Sequence, residues 1–160
     1  MRNKQKGFSL IELLIVVAII LIIAAIAIPN LLKSKMAANE SSAVGSIRTI
    51  NTGEVTYAAG CPNVGYSATL IELNTGAVCA SGTGIIDNVL AGGAKSGYAF
   101  TYNSTADATG LKNTYTLTAI PGVVGTTGQR GFGSDQTGVV RYTLNGTAPT
   151  FGVGGSSALQ

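Results

Sequence analysis

The apolar and polar residues divide the chain into a uniformly apolar start, a one-sided middle and a mixed remainder. From Phe8 to Ile28 almost every residue is apolar, and about 20 such residues let a helix cross a bilayer. After Pro29 the apolar residues recur at steps of three and four, the spacing of an amphipathic helix. The Gly-Cys-Pro sequence at 60–62 ends this helix near Ala59. The pattern predicts one long helix, apolar on all sides first and on one side afterwards.

The one-sided middle carries its apolar residues on one face and its polar residues on the others. The apolar set is Leu32, Met36, Ala43, Val44, Ile47 and Ile50, and the polar set is Lys33, Lys35, Asn39, Glu40 and Arg48. An apolar face of this kind needs a protein surface to cover it.

The remainder, from Gly60 onward, is rich in Gly, Ser, Thr and Asn, and its apolar residues come in short runs typical of strands and turns. We expect short helices near Leu70 and at 85–90, strands at 98–102, 114–120 and 138–144, and a loose edge or loop at 147–160. In the second strand apolar residues alternate with threonines, which indicates a sheet with one buried face. That face is predicted to pack on the helix around Val44 and Ile47, which gives an α+β fold.

Glu12 is the only ionisable residue in the apolar start. A carboxylate at the centre of a membrane helix costs about 2.5–3.5 kcal/mol on insertion scales, and such residues mark functional sites by default. Arg2, Lys4 and Lys6 precede the apolar start, followed directly by Gly7. The order is a basic tail, a glycine, an apolar helix and an early glutamate.

The stretch KGFSLIELLIVVAIILIIAAIAIPN, at 6–30, closely resembles the class III signal and N-terminal helix of type IV pilins and pseudopilins. The resemblance implies that a prepilin peptidase cuts after Gly7, that the new N-terminus at Phe8 is methylated, and that Glu12 is needed for assembly. It further implies a pilin-like α+β fold, a homo-oligomeric helical filament, and the inner membrane and pilus assembly machinery as partners.

The implied organisation has four parts. Residues 1–7 form the leader, 8–30 the transmembrane and filament-core helix, 31–59 the amphipathic half of the helix, and 60–160 a periplasmic or extracellular head. The precursor would sit in the bacterial inner membrane with a cytoplasmic N-terminus. After assembly the subunit would belong to a surface filament.

Glu12 has two interpretations. Cleavage after Gly7 would create an amine on Phe8, and the carboxylate of one subunit could pair with the amine of another inside an apolar bundle, each masking a costly charge. Alternatively, Glu12 caps its own helix, where the dipole favours an anion. An ordinary secretory signal, cut after the Ala-Ile-Ala sequence at 25–27, is an alternative for the whole segment.

The formal charge of the chain changes when the leader is set aside. The 160 residues contain ten Lys and Arg against seven Asp and Glu, but three of the ten lie in residues 1–7. Lys33 and Lys35 after the apolar start weaken the charge asymmetry that would set the orientation in a membrane. No basic patch remains, so we expect no nucleic-acid partner.

Cys61 and Cys79 are the only cysteines. In an oxidising compartment they could close a disulfide worth roughly 3 kcal/mol in the chain-entropy model. A metal site is the alternative, although zinc takes about four ligands and the sequence has no histidine.

Pro29 lies inside the long helix and removes one backbone hydrogen bond. We expect it to kink or loosen the helix, and in a filament this point could let the chain extend.

Enzymatic chemistry finds little support in the sequence. Without histidine the usual acyl-transfer sites lack their commonest base, and no glycine run matches a phosphate-binding fingerprint. The segment at 134–138 around Asp135 suggests a calcium loop, but few carboxylates lie near it. We therefore expect no enzyme, no metal and no cofactor.

The sequence favours a structural subunit of a type IV pilus-like filament. A pseudopilin of a type II secretion system is the alternative, because it would share the same helix. A membrane-tethered binding module is a third possibility, in which the helix is only an anchor.

Overall fold

A computed structural model describes residues 8–76, 84–152 and 154–159. The chain divides into two units, residues 1–35 and residues 36–160.

Helix α1 runs from Leu10 to Gly60 and confirms the long helix expected from the pattern. Its first bond joins the Leu13 N–H to the Ser9 carbonyl at 3.2 Å. The helix continues through Pro29. It ends one residue beyond the expected end, just before the cysteine and proline at 61–62.

Two short helices lie where the sequence predicts them: α2 spans Leu70–Thr75 and α3 spans Asn88–Ala91. The side chain of Thr69 accepts from the Glu72 N–H and that of Asp87 accepts from the Leu90 N–H. Both are N-caps of the kind that Thr and Asp supply.

The five strands form one antiparallel sheet in chain order. They are β1 Ala94–Lys95, β2 Tyr98–Ala106, β3 Lys112–Pro121, β4 Gly131–Asp135 and β5 Arg141–Thr143. The first two expected strands are confirmed and are longer than expected. The third, expected at 138–144, is confined to β5, and β1, which follows the glycines at 92–93, was not predicted.

Strand β4 was not predicted, and its sequence Gly-Phe-Gly-Ser-Asp shows why. All five residues are buried, so no polar face alternates with an apolar one. A Cβ at Gly133 would lie 2.7 Å from the Leu117 carbonyl oxygen. A glycine is therefore required by the close approach of β3, although it resembles a turn signal in sequence.

The core of residues 36–160 forms between α1 and the sheet, as the sequence predicts. Ile47 and Ile50 on the helix are fully buried, as are Leu117 and Phe132 on the sheet, and all four belong to one hydrophobic cluster. Val44 packs against this cluster and is partly buried.

The C-terminal segment is largely irregular but is tied to the edge of β5. The Tyr142 N–H donates to the Ser157 carbonyl at 2.9 Å, and the Leu159 N–H donates to the Val140 carbonyl at 2.7 Å. Exposed edge strands invite unwanted pairing. The segment is thus a covering for the sheet rather than a loose end.

Candidate functional site

The first half of α1 presents an unusual surface for a protein. Every residue from Phe8 to Lys35 is exposed except Ala24, which is half-buried. Phe8 and Leu10 are each more than 80% exposed (83% and 81%). Among the described residues, α1 is the one helix long and apolar enough to cross a membrane. An apolar surface of this extent requires lipid or another protein to cover it.

Glu12 is held by the start of its own helix. Its Oε2 accepts a hydrogen bond from the Ser9 N–H at 2.9 Å. Ser9 precedes the first helical residue, so Ser9 and Glu12 have the spacing of a capping box. The Ser-x-x-Glu pattern of this cap is present in the sequence, and it is the local signal that identifies Ser9 as the partner of Glu12.

This contact corresponds to the self-capping interpretation of Glu12. It leaves the carboxylate exposed, and one oxygen of a carboxylate can accept from the helix N-terminus while the other meets a second partner. Gly7 lies outside the described residues, and the Phe8 amine would exist only after cleavage. Cleavage, methylation and pairing between subunits therefore remain predictions.

The structure describes Pro29 and Cys61 but leaves their predicted roles untested. Helix α1 is continuous through Pro29, and the expected loosening within a filament remains a prediction. Cys61 is buried directly after α1. Cys79 lies outside the described residues, so the disulfide also remains a prediction.

Glu40 was expected on a polar face of α1, and this expectation is wrong. The residue is only 8% exposed. Its Oε1 accepts from the backbone N–H groups of Gln129 (2.8 Å) and Arg130 (3.0 Å), and its Oε2 accepts from the Arg130 Nε at 2.8 Å. Burial alone would raise the pKa of Glu40, but these hydrogen bonds and the guanidinium charge outweigh it and lower the pKa.

Glu54, on the same helix, is fully buried. It accepts from the Ser67 N–H at 2.9 Å and from the Ser67 hydroxyl at 2.6 Å. Burial raises the pKa of Glu54, and the hydrogen bonds from Ser67 and the side chain of Tyr102 only partly offset this. The carboxyl joins α1 to the loop that follows it.

Asp135, considered as a calcium ligand, instead shapes a turn. Its Oδ1 accepts from the Thr137 N–H at 3.0 Å and from the Thr137 hydroxyl. Within the described part of the chain, no three His, Cys, Asp or Glu side chains come together as a metal site would need.

The start of the chain, with its basic tail and apolar helix, matches a known family model. The prokaryotic N-terminal methylation motif covers residues 2–28. The start of the chain is thus similar to the N-terminal segment of type IV pilins and pseudopilins. This confirms the resemblance seen in the sequence.

The proteins similar to this segment include both pilins and a secretion component. The type IV wide pilus major component PilA4 of Thermus thermophilus is 63% identical over 41 residues, which is 26% of this chain and 30% of that protein. The type IV major pilin protein PilA of Myxococcus xanthus is 44% identical over 54 residues, or 34% of this chain and 24% of that protein. The type II secretion system core protein G of Escherichia coli is 40% identical over 45 residues, or 28% of this chain and 31% of that protein.

The chain spans about a quarter to a third of the length of these curated relatives. No solved structure matches the chain. The helix and five-stranded antiparallel sheet nevertheless give the α+β, pilin-like architecture that the sequence predicts.

Proposed function

We propose that this protein is a structural subunit of a type IV pilus-like filament. The observation that carries the proposal is the bare apolar surface of α1 from Phe8 onward, with Glu12 as its only charge before Lys33. The matched methylation motif lies on this same segment. An enzyme would need a prepared site, and the polar clusters at Glu40, Glu54 and Asp135 are satisfied by their own structural contacts.

The helix would be covered twice, first by lipid and then by copies of itself. The precursor is inserted in the inner membrane with its N-terminus in the cytoplasm, and prepilin peptidase removes residues 1–7. The subunits then move from lipid into a bundle of identical helices, guided by the assembly machinery. Lipid and bundle both exclude water, so the hydrophobic term largely cancels, and packing and polar contacts must select the partner.

Glu12 supplies that selectivity through the amine of Phe8 on a neighbouring subunit. Removing one partner of a buried ion pair is strongly destabilising, by about 3–5 kcal/mol, because a charge is left without compensation. The contact with the Ser9 N–H holds the carboxylate at the helix start before it meets the neighbour.

The test compares Glu12→Ala and Glu12→Gln in a cell that assembles the filament. Glutamine keeps an oxygen that can accept from the Ser9 N–H but has no charge. Glu72→Gln is the matched control, because the Glu72 Oε2 accepts a similar bond from the Ala68 N–H at 2.7 Å in another helix. Membrane insertion, the N-terminal residue of the mature chain and surface filaments are measured for each.

Both Glu12 variants should be inserted and cut normally, and both should lose most surface filaments, whereas Glu72→Gln should assemble. Normal filaments from Glu12→Gln alone would show that capping suffices and would overturn the ion pair. If Glu12→Ala forms no filaments but cells that carry it keep the phenotype of the parent, a tethered binding module would be favoured. A mature chain that begins after residue 27 would indicate an ordinary secretory signal.

A pseudopilin of a type II secretion system is the second candidate, because the Escherichia coli core protein G is similar over 45 residues. Deletion separates the two. Loss of surface filaments with normal secretion supports the pilin, and retained secretion substrates in a strain without surface filaments support the pseudopilin.

A further inference from the structure

Asn145 and Gly146 form the only Asn-Gly pair in the sequence. They lie in the turn after β5, where Asn145 is exposed and Gly146 is buried. Gly146 has a φ of 72°, and a Cβ there would lie 2.6 Å from a Val124 methyl carbon. The packing therefore requires glycine at this position, whatever the chemical cost of placing it after an asparagine.

The chemical cost is that the backbone nitrogen of Gly146 can reach the side chain of Asn145. The nitrogen that follows an asparagine can attack the asparagine side-chain carbonyl, and a Cβ on the following residue hinders the approach. The eight other described asparagines are each followed by a residue with a side chain, and seven of them lie in helices or strands. Those seven are Asn30, Asn39, Asn51, Asn74, Asn88, Asn103 and Asn113.

The side-chain oxygen of Asn145 also accepts two hydrogen bonds that would favour this attack. Its Oδ1 accepts from the Thr147 hydroxyl at 2.7 Å and from the Thr147 N–H at 3.4 Å. Attack on the side-chain carbonyl places negative charge on this same oxygen. Donors already aimed at an oxygen that becomes an oxyanion lower the barrier to such a reaction.

We propose that Asn145 is a site of spontaneous deamidation. The Gly146 nitrogen bonds to Cγ of Asn145 and gives its proton to solvent, and the side-chain nitrogen leaves as ammonia to form a five-membered succinimide. Water then opens the ring at either carbonyl and yields aspartate or isoaspartate. One water is consumed and one ammonia released, and no oxidant or reductant takes part.

The product differs from the parent in charge and in shape. Residues 8–160 contain seven Lys and Arg and seven Asp and Glu, so each conversion makes a formally neutral segment anionic. Isoaspartate also lengthens the backbone directly before Gly146, which is packed against Val124 and Pro121. The fraction of subunits converted at Asn145 therefore increases with the age of the protein, whether or not the subunit polymerises.

The test uses the full chain in detergent micelles, incubated at neutral and at acid pH. Peptide mapping by mass spectrometry detects exchange of the amide for an acid, and isoaspartyl methyltransferase labels isoaspartate. Conversion at Asn145 should run well ahead of every other asparagine, and faster at neutral pH because the Gly146 nitrogen must lose its proton. Conversion no faster than at Asn63, which also lies in a turn, overturns the proposal.

Thr147 variants test the role of the hydroxyl. Thr147→Val should slow conversion roughly threefold to tenfold, the effect of one net hydrogen bond, and Thr147→Ser should restore it. An unchanged rate in Thr147→Val overturns the assistance by Thr147. The chain unfolded in urea is the reference, and faster conversion there than in the folded chain would show that the fold protects Asn145 and would overturn the site.

Discussion

The two halves of helix α1 differ in whether their apolar side chains and their carboxylates are exposed or buried. In residues 8–35 the apolar side chains are exposed and Glu12 is exposed with them, with one hydrogen bond to its own helix. In the second half one face of the helix is buried, with Ile47 and Ile50 in the core, and Glu40 and Glu54 are buried as well. Continuous secondary structure thus carries two different surfaces.

The difference shows which half is complete in a single chain. Glu40 and Glu54 each accept two or more hydrogen bonds from residues outside α1, so burial leaves neither without a partner. The surface around Glu12 has no such cover among the described residues. The second half of the helix therefore packs within the folded chain. The first half needs lipid or another protein to cover its apolar surface.

The largest difference in stability is expected when one apolar side chain is truncated in each half of α1. Ile47→Ala removes a fully buried side chain and should lower the free energy of unfolding by about 2–5 kcal/mol. Ile19→Ala, at a residue that is 52% exposed, should leave it unchanged. All six tyrosines lie between 57 and 142, so tyrosine fluorescence during urea titration reports on residues 36–160.

Ile19→Ala also tests whether the two halves of α1 have separate roles. Its effect should appear in filament assembly alone. An equal loss of stability in both variants would mean that the exposed half of α1 contributes to the same folding unit as the core.

Glu40→Ala should have the next largest effect. It leaves the N–H groups of Gln129 and Arg130 without their acceptor and removes the partner of the guanidinium, so unfolding should become easier by about 1–3 kcal/mol. Glu72→Ala, with one hydrogen bond to the Ala68 N–H, is the matched control and should cost less. Equal losses in the two variants would show that the contacts of Glu40 add nothing beyond those of a partly exposed acid.

The elements that could be predicted are those in which periodicity is uninterrupted. Helix α1 was predicted to within one residue at its C-terminal end because its apolar spacing persists until the Gly-Cys-Pro sequence at 60–62. Strand β3 was predicted because threonines alternate with apolar residues. Strand β4 is buried along its whole length and contains two glycines, so it lacks both signals.

The roles of the acids could be predicted only in part. Glu12 was found because a charge inside an apolar run is visible in sequence, and its cap at Ser9 was readable from spacing. Glu40 was misplaced because its partner Arg130 is 90 residues away. No local pattern shows that an acid on a helix meets an arginine from a distant loop.

The smallest expected effect is the pH dependence of stability that the two buried acids, Glu40 and Glu54, contribute. Burial raises the pKa of Glu54, so the contribution of this group is fully present below its unfolded pKa of about 4.3 and is lost as pH rises through the folded pKa. Glu40, with a lowered pKa, contributes stability above its unfolded pKa that is lost as pH falls through the folded pKa. The two acids therefore tilt the stability curve in opposite directions.

Glu54→Gln isolates the first of these slopes. The amide oxygen can still accept from the Ser67 N–H, and the amide can donate to the Ser67 hydroxyl, so the contacts persist without ionisation. Urea titrations from acid to neutral pH should show a smaller fall in stability with rising pH in Glu54→Gln than in the parent. Tyr102 and Glu72 are the other titratable groups that act on Glu54, so Glu72→Gln serves as control and should leave most of the slope in place. Parallel curves for the parent and Glu54→Gln would mean that Glu54 ionises in the folded protein as readily as in the unfolded chain.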